Sequence, residues 1–181
     1  MTRISQLHTA AAQPASQALL NQIHQAFGAT PNMFKTVAHS PAALQSMWGS
    51  FGALGGGVID ARLGEQIAVA VADRNSCAYC LAAHTALGRK AGVSAQDMAA
   101  AQMGESSDPR TAAALRFALK LVNDRGQVGD ADVQALRDVG FGDEHIVEIL
   151  AHVALNLFTN YVNVAFAVPV DFPAVKLHRQ G

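Results

Sequence analysis

The sequence predicts an all-α, multi-helix fold on three observations. Alanine is its commonest residue, and Leu, Gln and Met are frequent, all of them good helix formers. Apolar residues recur three and four positions apart in one segment after another, with no strand-like alternation to compete. Gly, Pro and short polar side chains fall where helices should begin and end. The 181 residues suit one domain, and the chain is read as a single helical domain over 1–181. Gly104–Asp108 is its best internal seam, too short to separate two lobes.

The elements follow in order. Ser16 is placed to cap a helix that carries Leu19, Leu20, Ile23 and Phe27 and stops at Gly28. Pro31–Phe34 reads as a connector or a short helix. Pro41 after Ser40 suits a first helical position, and that helix runs through Leu44, Met47, Trp48 and Phe51 to Gly55–Gly57, the plainest break. A helix from about Asp60 to Asp73 comes next, then Asn75-Ser76 as a cap before another from Cys77 to Lys90, closed by Gly92. Ser94 to Asp97 resembles a capping box opening a short helix to about Met103. Asp108-Pro109 starts a helix through Leu115, Leu119 and Val122. Gly129 or Asp130 starts one ending at Gly140. Asp143 caps the last long helix, Ile146 to about Tyr161, and Pro169 and Pro173 mark an irregular tail.

Composition excludes several classes. Half the residues are hydrophobic, so the chain can offset its ordering entropy and is not disordered. Thirteen Lys and Arg against fourteen Asp and Glu leave a net charge of −1 and no basic stripe, which argues against nucleic acid as a partner. The longest apolar stretches, Ile67–Ala72 and Val162–Val170 (broken by Asn163), are too short to span a bilayer. Met1–Ala15 lacks the order of a secretory signal. A soluble cytoplasmic protein, bound to no membrane, is expected. The charged share, 15%, is low for a monomer's surface and points to a homo-oligomer.

The chemistry gathers around the two cysteines, Cys77 and Cys80. A pair so close in sequence closes too small a loop to staple a fold. In a cytoplasmic chain its spacing indicates redox work or a metal site. Asn75-Ser76 puts both in the first turn of a helix, where free N–H groups and the dipole favour thiolate. Helical residues three apart have Cβ atoms about 5–6 Å apart, and a relaxed disulfide wants about 3.5–4.5 Å. A bridge between them is therefore expected to be reversible rather than structural. His84, four residues after Cys80, points the same way. Across the short turn the two helices should run antiparallel, which places Glu65 and His84 about 15 and 12 Å from it, at similar depth. Glu65 can then orient His84, and His84 can activate Cys80. The phenol of Tyr79 either packs or donates within this relay.

The pattern Glu65-x11-Cys77-x-Tyr79-Cys80-x3-His84 resembles the signature of alkyl hydroperoxidase D and related proteins of the carboxymuconolactone decarboxylase superfamily. Pro31–Phe34 and Ser40-Pro41 resemble its peroxidase-related members more than the decarboxylases, which lack the cysteine pair. The resemblance implies a thiol-dependent peroxidase assembled as a homotrimer or homohexamer, acting on an organic hydroperoxide. It implies that Cys80 is the peroxidatic residue, that Cys77 donates a proton and then resolves the sulfenic acid, and that Glu65, Tyr79 and His84 form the proton relay. It also implies recharging by an external dithiol, lipoyl or thioredoxin-like, and a peroxiredoxin as a further partner. No cofactor and no metal are called for.

Other readings stay open. An exposed helix-terminal pair of thiols also suits a protein disulfide reductase or redox adaptor. Zinc could take Cys77, Cys80, His84 and Glu65, although three of these come from barely two turns of one helix. A cofactor-free decarboxylase or isomerase would leave the cysteines superfluous. Phe34, Met47, Trp48 and Phe51 could line a route for an organic substrate but read first as core. His145, His152, Asn156, Asn160 and Asn163 form a polar ribbon on the last helix, read as a satisfied core or subunit-contact network rather than a second wall of the site.

Overall fold

The computed structural model describes residues 2–178, and among these no strand occurs. After a short 3-10 turn at Thr9–Ala11 come α1 (Pro14–Phe27), α2 (Asn32–Val37), α3 (Pro41–Leu54), α4 (Ala61–Arg74), α5 (Ala78–Lys90), α6 (Ala95–Gln102), α7 (Pro109–Asn123), α8 (Asp130–Arg137) and α9 (Asp143–Ala165). No described helix is long and apolar enough to cross a membrane.

Capping sets most boundaries. The side chains of Ser40, Asp60, Ser94 and Asp108 each accept a backbone N–H three residues on, opening α3, α4, α6 and α7. Gly28 and Gly92 take the left-handed conformation, at φ 74° and 88°, that ends α1 and α5.

Four sequence expectations shift. Ser16 is no cap: α1 already begins at Pro14, and Ser16 is buried with its hydroxyl donated to the Ala38 carbonyl at 2.8 Å. The helix expected from Cys77 begins at Ala78, because Cys77 is itself the N-cap. α8 ends at Arg137, and Gly140, at φ 85°, lies in the turn beyond it. α9 starts at Asp143, capped at Gly142, and continues to Ala165, since no breaker interrupts its apolar periodicity beyond Tyr161.

α4 lies at the centre, packed on α5, α6, α7 and α9. Its run from Gln66 to Asp73 is buried continuously, so this helix has no solvent face over two turns. Phe34, Leu44, Met47, Leu81, Leu115 and Ile149 complete the core around it. The loop between α3 and α4 is fastened by Glu148 of α9, whose two carboxylate oxygens accept the N–H groups of Val58 and Ile59 at 2.9 and 2.8 Å. Those bonds hold Glu148 ionised below the usual carboxylate range, against the upward push of burial. Gly57 faces this carboxylate so closely that a β-carbon would collide with it.

Candidate active site

The site grows from the turn between α4 and α5. Cys77 N–H bonds to the Ala72 carbonyl at 2.9 Å and Ser76 N–H to the Asp73 carbonyl at 3.1 Å, with Ser76 left-handed at φ 54°. This is a Schellman ending with serine in the usual glycine place. It reverses the chain in two residues and lays α5 back along α4. Cys77 then caps α5, its Sγ accepting the N–H of Cys80 at 3.2 Å.

Both cysteines are free thiols and both are buried, 1% and 2% exposed, which corrects the expectation of an exposed pair. They differ in acidity. The hydrogen bond that Cys77 gives to Cys80, with burial, pushes the Cys77 thiol far up. Burial also pushes Cys80 up, but the Cys77 hydrogen bond, the charge of His84 and the amides of Asn163 and Asn160 outweigh it and bring Cys80 down to about 7. Cys80 is therefore the more acidic of the two, and Cys77 the one that holds its proton.

Antiparallel pairing of α4 and α5 brings Glu65 and His84 together, Nδ1 to Oε2 at 2.7 Å, both largely shielded from solvent. Burial alone would favour neutral imidazole, but Glu65 and then Cys80 raise the His84 pKa above its ordinary value. Tyr79 stands apart from this pair. Its hydroxyl accepts the Met33 N–H at 3.3 Å and donates to Asp171. Burial and that carboxylate raise its pKa. Of the five residues expected to form the site, Cys77, Cys80, His84 and Glu65 make one continuous chain of interactions, and Tyr79 borders it with its hydroxyl engaged elsewhere.

Two cavities flank His84. One, of about 40 Å³, reaches Cys80 and is lined almost wholly by apolar groups, among them Phe27, Met33, Phe34, Phe51, Leu87 and Phe172. Of the four candidates for a substrate route, Phe34 and Phe51 line it. Met47 is fully buried core, and Trp48 packs edge-on against Phe34 with its indole N–H on Gln22. The second cavity, about 200 Å³, lies between α4, α5 and α9 and presents Glu65, His84, His152, Asp60 and Asn156. It is roomy and polar enough for ordered water.

The polar ribbon on α9 is the main site feature that sequence reasoning assigned elsewhere. Asn163 donates to Cys80 Sγ at 3.2 Å while also bonding the Thr159 carbonyl. Asn160 lies beside Cys80, and its Oδ1 accepts from Asn75 at 2.9 Å. His152 and Asn156 line the second cavity. Burial holds His152 below its ordinary pKa, with Glu148 and Glu65 opposing and His84 reinforcing. These residues form a second wall of the site, which corrects the reading that set that role aside. Only His145 turns away, its ring against Phe141. The spacing 152, 156, 160, 163 is a single polar stripe on an otherwise apolar helix, which was the available signal.

Among the described residues no cluster of three or more His, Cys, Asp or Glu side chains is arranged to hold a metal.

The carboxymuconolactone decarboxylase family model matches residues 41–124, the stretch from α3 through α7 that contains Glu65, both cysteines and His84. No curated protein sequence matches the chain. The alkylhydroperoxidase AhpD core of an uncharacterized peroxidase-related protein from Ralstonia eutropha JMP134 superposes with a TM-score of 0.85, at 27% identity over 94% of this chain and 92% of that one. An uncharacterized peroxidase-related protein from Silicibacter sp. TM1040 gives 0.80, also at 27% identity, over 93% and 91%. A debrominase solved in complex with 2,3,4-tribromopyrrole shares the fold, with a TM-score of 0.78 at 21% identity over 94% and 92%. Residues 41–124 thus match the carboxymuconolactone decarboxylase family model, and the described chain takes a fold similar to the alkylhydroperoxidase AhpD core.

Proposed function

We propose that the protein is a thiol-dependent peroxidase that reduces organic hydroperoxides through a reversible Cys77–Cys80 disulfide. The observation that carries this reading is the asymmetry of the two thiols: Cys80 lowered to about 7, Cys77 held protonated beside it. A nucleophile and its resolving partner need that division.

In the first step the Cys80 thiolate attacks the distal oxygen of the hydroperoxide. An S–O bond forms, the O–O bond breaks, and the alkoxide leaves as alcohol with a proton from Cys77 or the His84 imidazolium. Cys80 is now a sulfenic acid. Cys77, already a thiolate or handing its proton to the His84–Glu65 pair, attacks that sulfur: the S–S bond forms, the S–O bond breaks, and the hydroxide leaves as water with the proton that the pair holds. An external dithiol, lipoyl or thioredoxin-like, returns two electrons by exchange and restores both thiols. A peroxiredoxin is a further candidate partner. The apolar lining at Cys80 favours an alkyl over a charged substrate, and burial of both sulfurs weighs against a protein disulfide as the first substrate. The exposed Val147, Leu150, Phe158 and Tyr161 along α9 are consistent with subunits assembling as a trimer or hexamer.

One equivalent of an alkyl hydroperoxide added to the reduced protein tests the reading. Both thiols should disappear from a titration, and mass spectrometry should find a Cys77–Cys80 bridge lighter by two hydrogens. Thiols that survive would overturn it.

A further inference from the structure

The cavity at Cys80 is too small for the chemistry it faces. At about 40 Å³ it holds a few waters, each needing ~10–15 Å³, and neither an alkyl hydroperoxide nor a dithiol. Most of its walls belong to packed helices. Phe172 does not. It lies in the irregular tail after α9, half-buried, with its ring edge-on to Tyr79 at a centroid distance of 5.7 Å.

The tail is fastened on both sides of this ring. Downstream, the buried Asp73–Gln102 pair is a firm anchor: Gln102 donates to the Lys176 carbonyl at 2.9 Å, and Asp73 accepts the His178 N–H at 2.9 Å. Upstream the hold is lighter, with Asp171 exposed and Asn32 half-buried, and only the Tyr79 hydroxyl meets it from the core. Asp171 accepts the Asn32 N–H at 2.8 Å and the Tyr79 hydroxyl, and Asn32 donates to the Pro169 carbonyl at 3.2 Å. Release of the Asp171 contacts would let Phe172 swing out while the downstream anchor keeps the tail in place. The two Asn32 bonds are solvent-exposed, and bonds of that kind open far more readily than core packing.

We propose that Phe172 is the specificity-determining wall of the thiol cavity and that Asp171 is the positioning residue that seats it, so that this strap decides how large a molecule reaches Cys80. The proposal builds on Cys80 as the reacting atom but needs no peroxide to be tested.

The reduced full-length protein is treated with iodoacetamide and, separately, with pyrenyl maleimide, and modification at Cys80 is timed by mass spectrometry. The wild type should favour the small reagent strongly. Phe172→Ala should speed the bulky reagent about tenfold or more and the small one only a few-fold, as expected when a closed population is shifted open. Asp171→Asn should move the same ratio in the same direction, Phe172→Leu should restore most of the discrimination, and Val170→Ala, an exposed neighbour on the same tail, should leave it unchanged. An unaltered ratio in both Phe172→Ala and Asp171→Asn, or an equal rise for both reagents, would overturn the proposal. Absence of hydroperoxide turnover with this ratio intact would instead count against the peroxidase reading alone.

Discussion

The Nδ1 atom of His84 and the Oε2 atom of Glu65 lie 2.7 Å apart across two antiparallel helices, and through His84 this contact adds to the lowering of the Cys80 thiol that the Cys77 hydrogen bond leads. Glu65 raises His84, and charged His84 lowers Cys80. Glu65→Gln should therefore lower the His84 pKa and move the Cys80 titration above about 7. The midpoint is read from thiolate absorbance or from alkylation rate against pH. Peroxide turnover at neutral pH should fall by roughly 10–100-fold, the range typical of a lost acid–base partner. An unmoved midpoint would detach the carboxylate from the thiol.

Cys77 and Cys80 should separate cleanly by substitution. Cys80→Ser should abolish reaction with hydroperoxide. Cys77→Ala should leave Cys80 reactive but halt it at the sulfenic acid, trappable with dimedone. Because the Cys77 hydrogen bond is then lost, the Cys80 midpoint should also rise. Equal residual turnover in the two variants would contradict the assigned roles.

Asn163 offers a test of the α9 wall. Its amide donates to Cys80 Sγ at 3.2 Å, and a hydrogen bond to a charged group contributes about 1.5–3 kcal/mol. Asn163→Leu should raise the Cys80 midpoint by about one to two pH units, and Asn163→Asp by more, since like charges then meet. Below the midpoint the sulfur is protonated and inert, so at pH 7 both variants should lose rate and recover it as pH rises.

Tyr79→Phe should leave the thiol titration nearly in place, because the Tyr79 hydroxyl serves Asp171 and Met33 rather than Glu65 or His84. A midpoint displaced as far as in Glu65→Gln would return the phenol to the proton relay.

Two glycines should behave in opposite ways. Gly57→Ala would push the Glu148 carboxylate off the loop it secures and should cost about 1–3 kcal/mol of stability. Gly52, inside α3 with open space where a β-carbon would go, should tolerate Ala and gain about 0.5–1 kcal/mol from reduced chain entropy. Thermal or urea unfolding reads both.

What the sequence conveyed and what it withheld divide along the range of the interactions. Ser40-Pro41, Asp60, Ser94 and Asp108-Pro109 marked helix starts because a cap is made within three residues. The Glu65–His84 contact was legible because a short turn fixes how two helices face each other. Asn160 and Asn163 approach Cys80 from eighty residues downstream, and only the crossing of α9 over α5 could reveal that. Phe172 gave still less sign, since an irregular tail has no periodicity from which to read a buried face. Ser16 misled because a serine near a helix start can satisfy its hydroxyl across the core, here on Ala38, as well as on its own helix.

The sulfur of Cys77 has two duties that compete. In the reduced protein it receives the amide of Cys80 and so secures the first turn of α5. Drawn into a covalent link with its neighbour, it would have to surrender that amide, leaving the helix end frayed until electrons return. Oxidation state would thus be written into local backbone order, legible as faster deuterium uptake at the opening of α5, and a reducing protein could tell the spent form from the fresh one by the loosened turn alone.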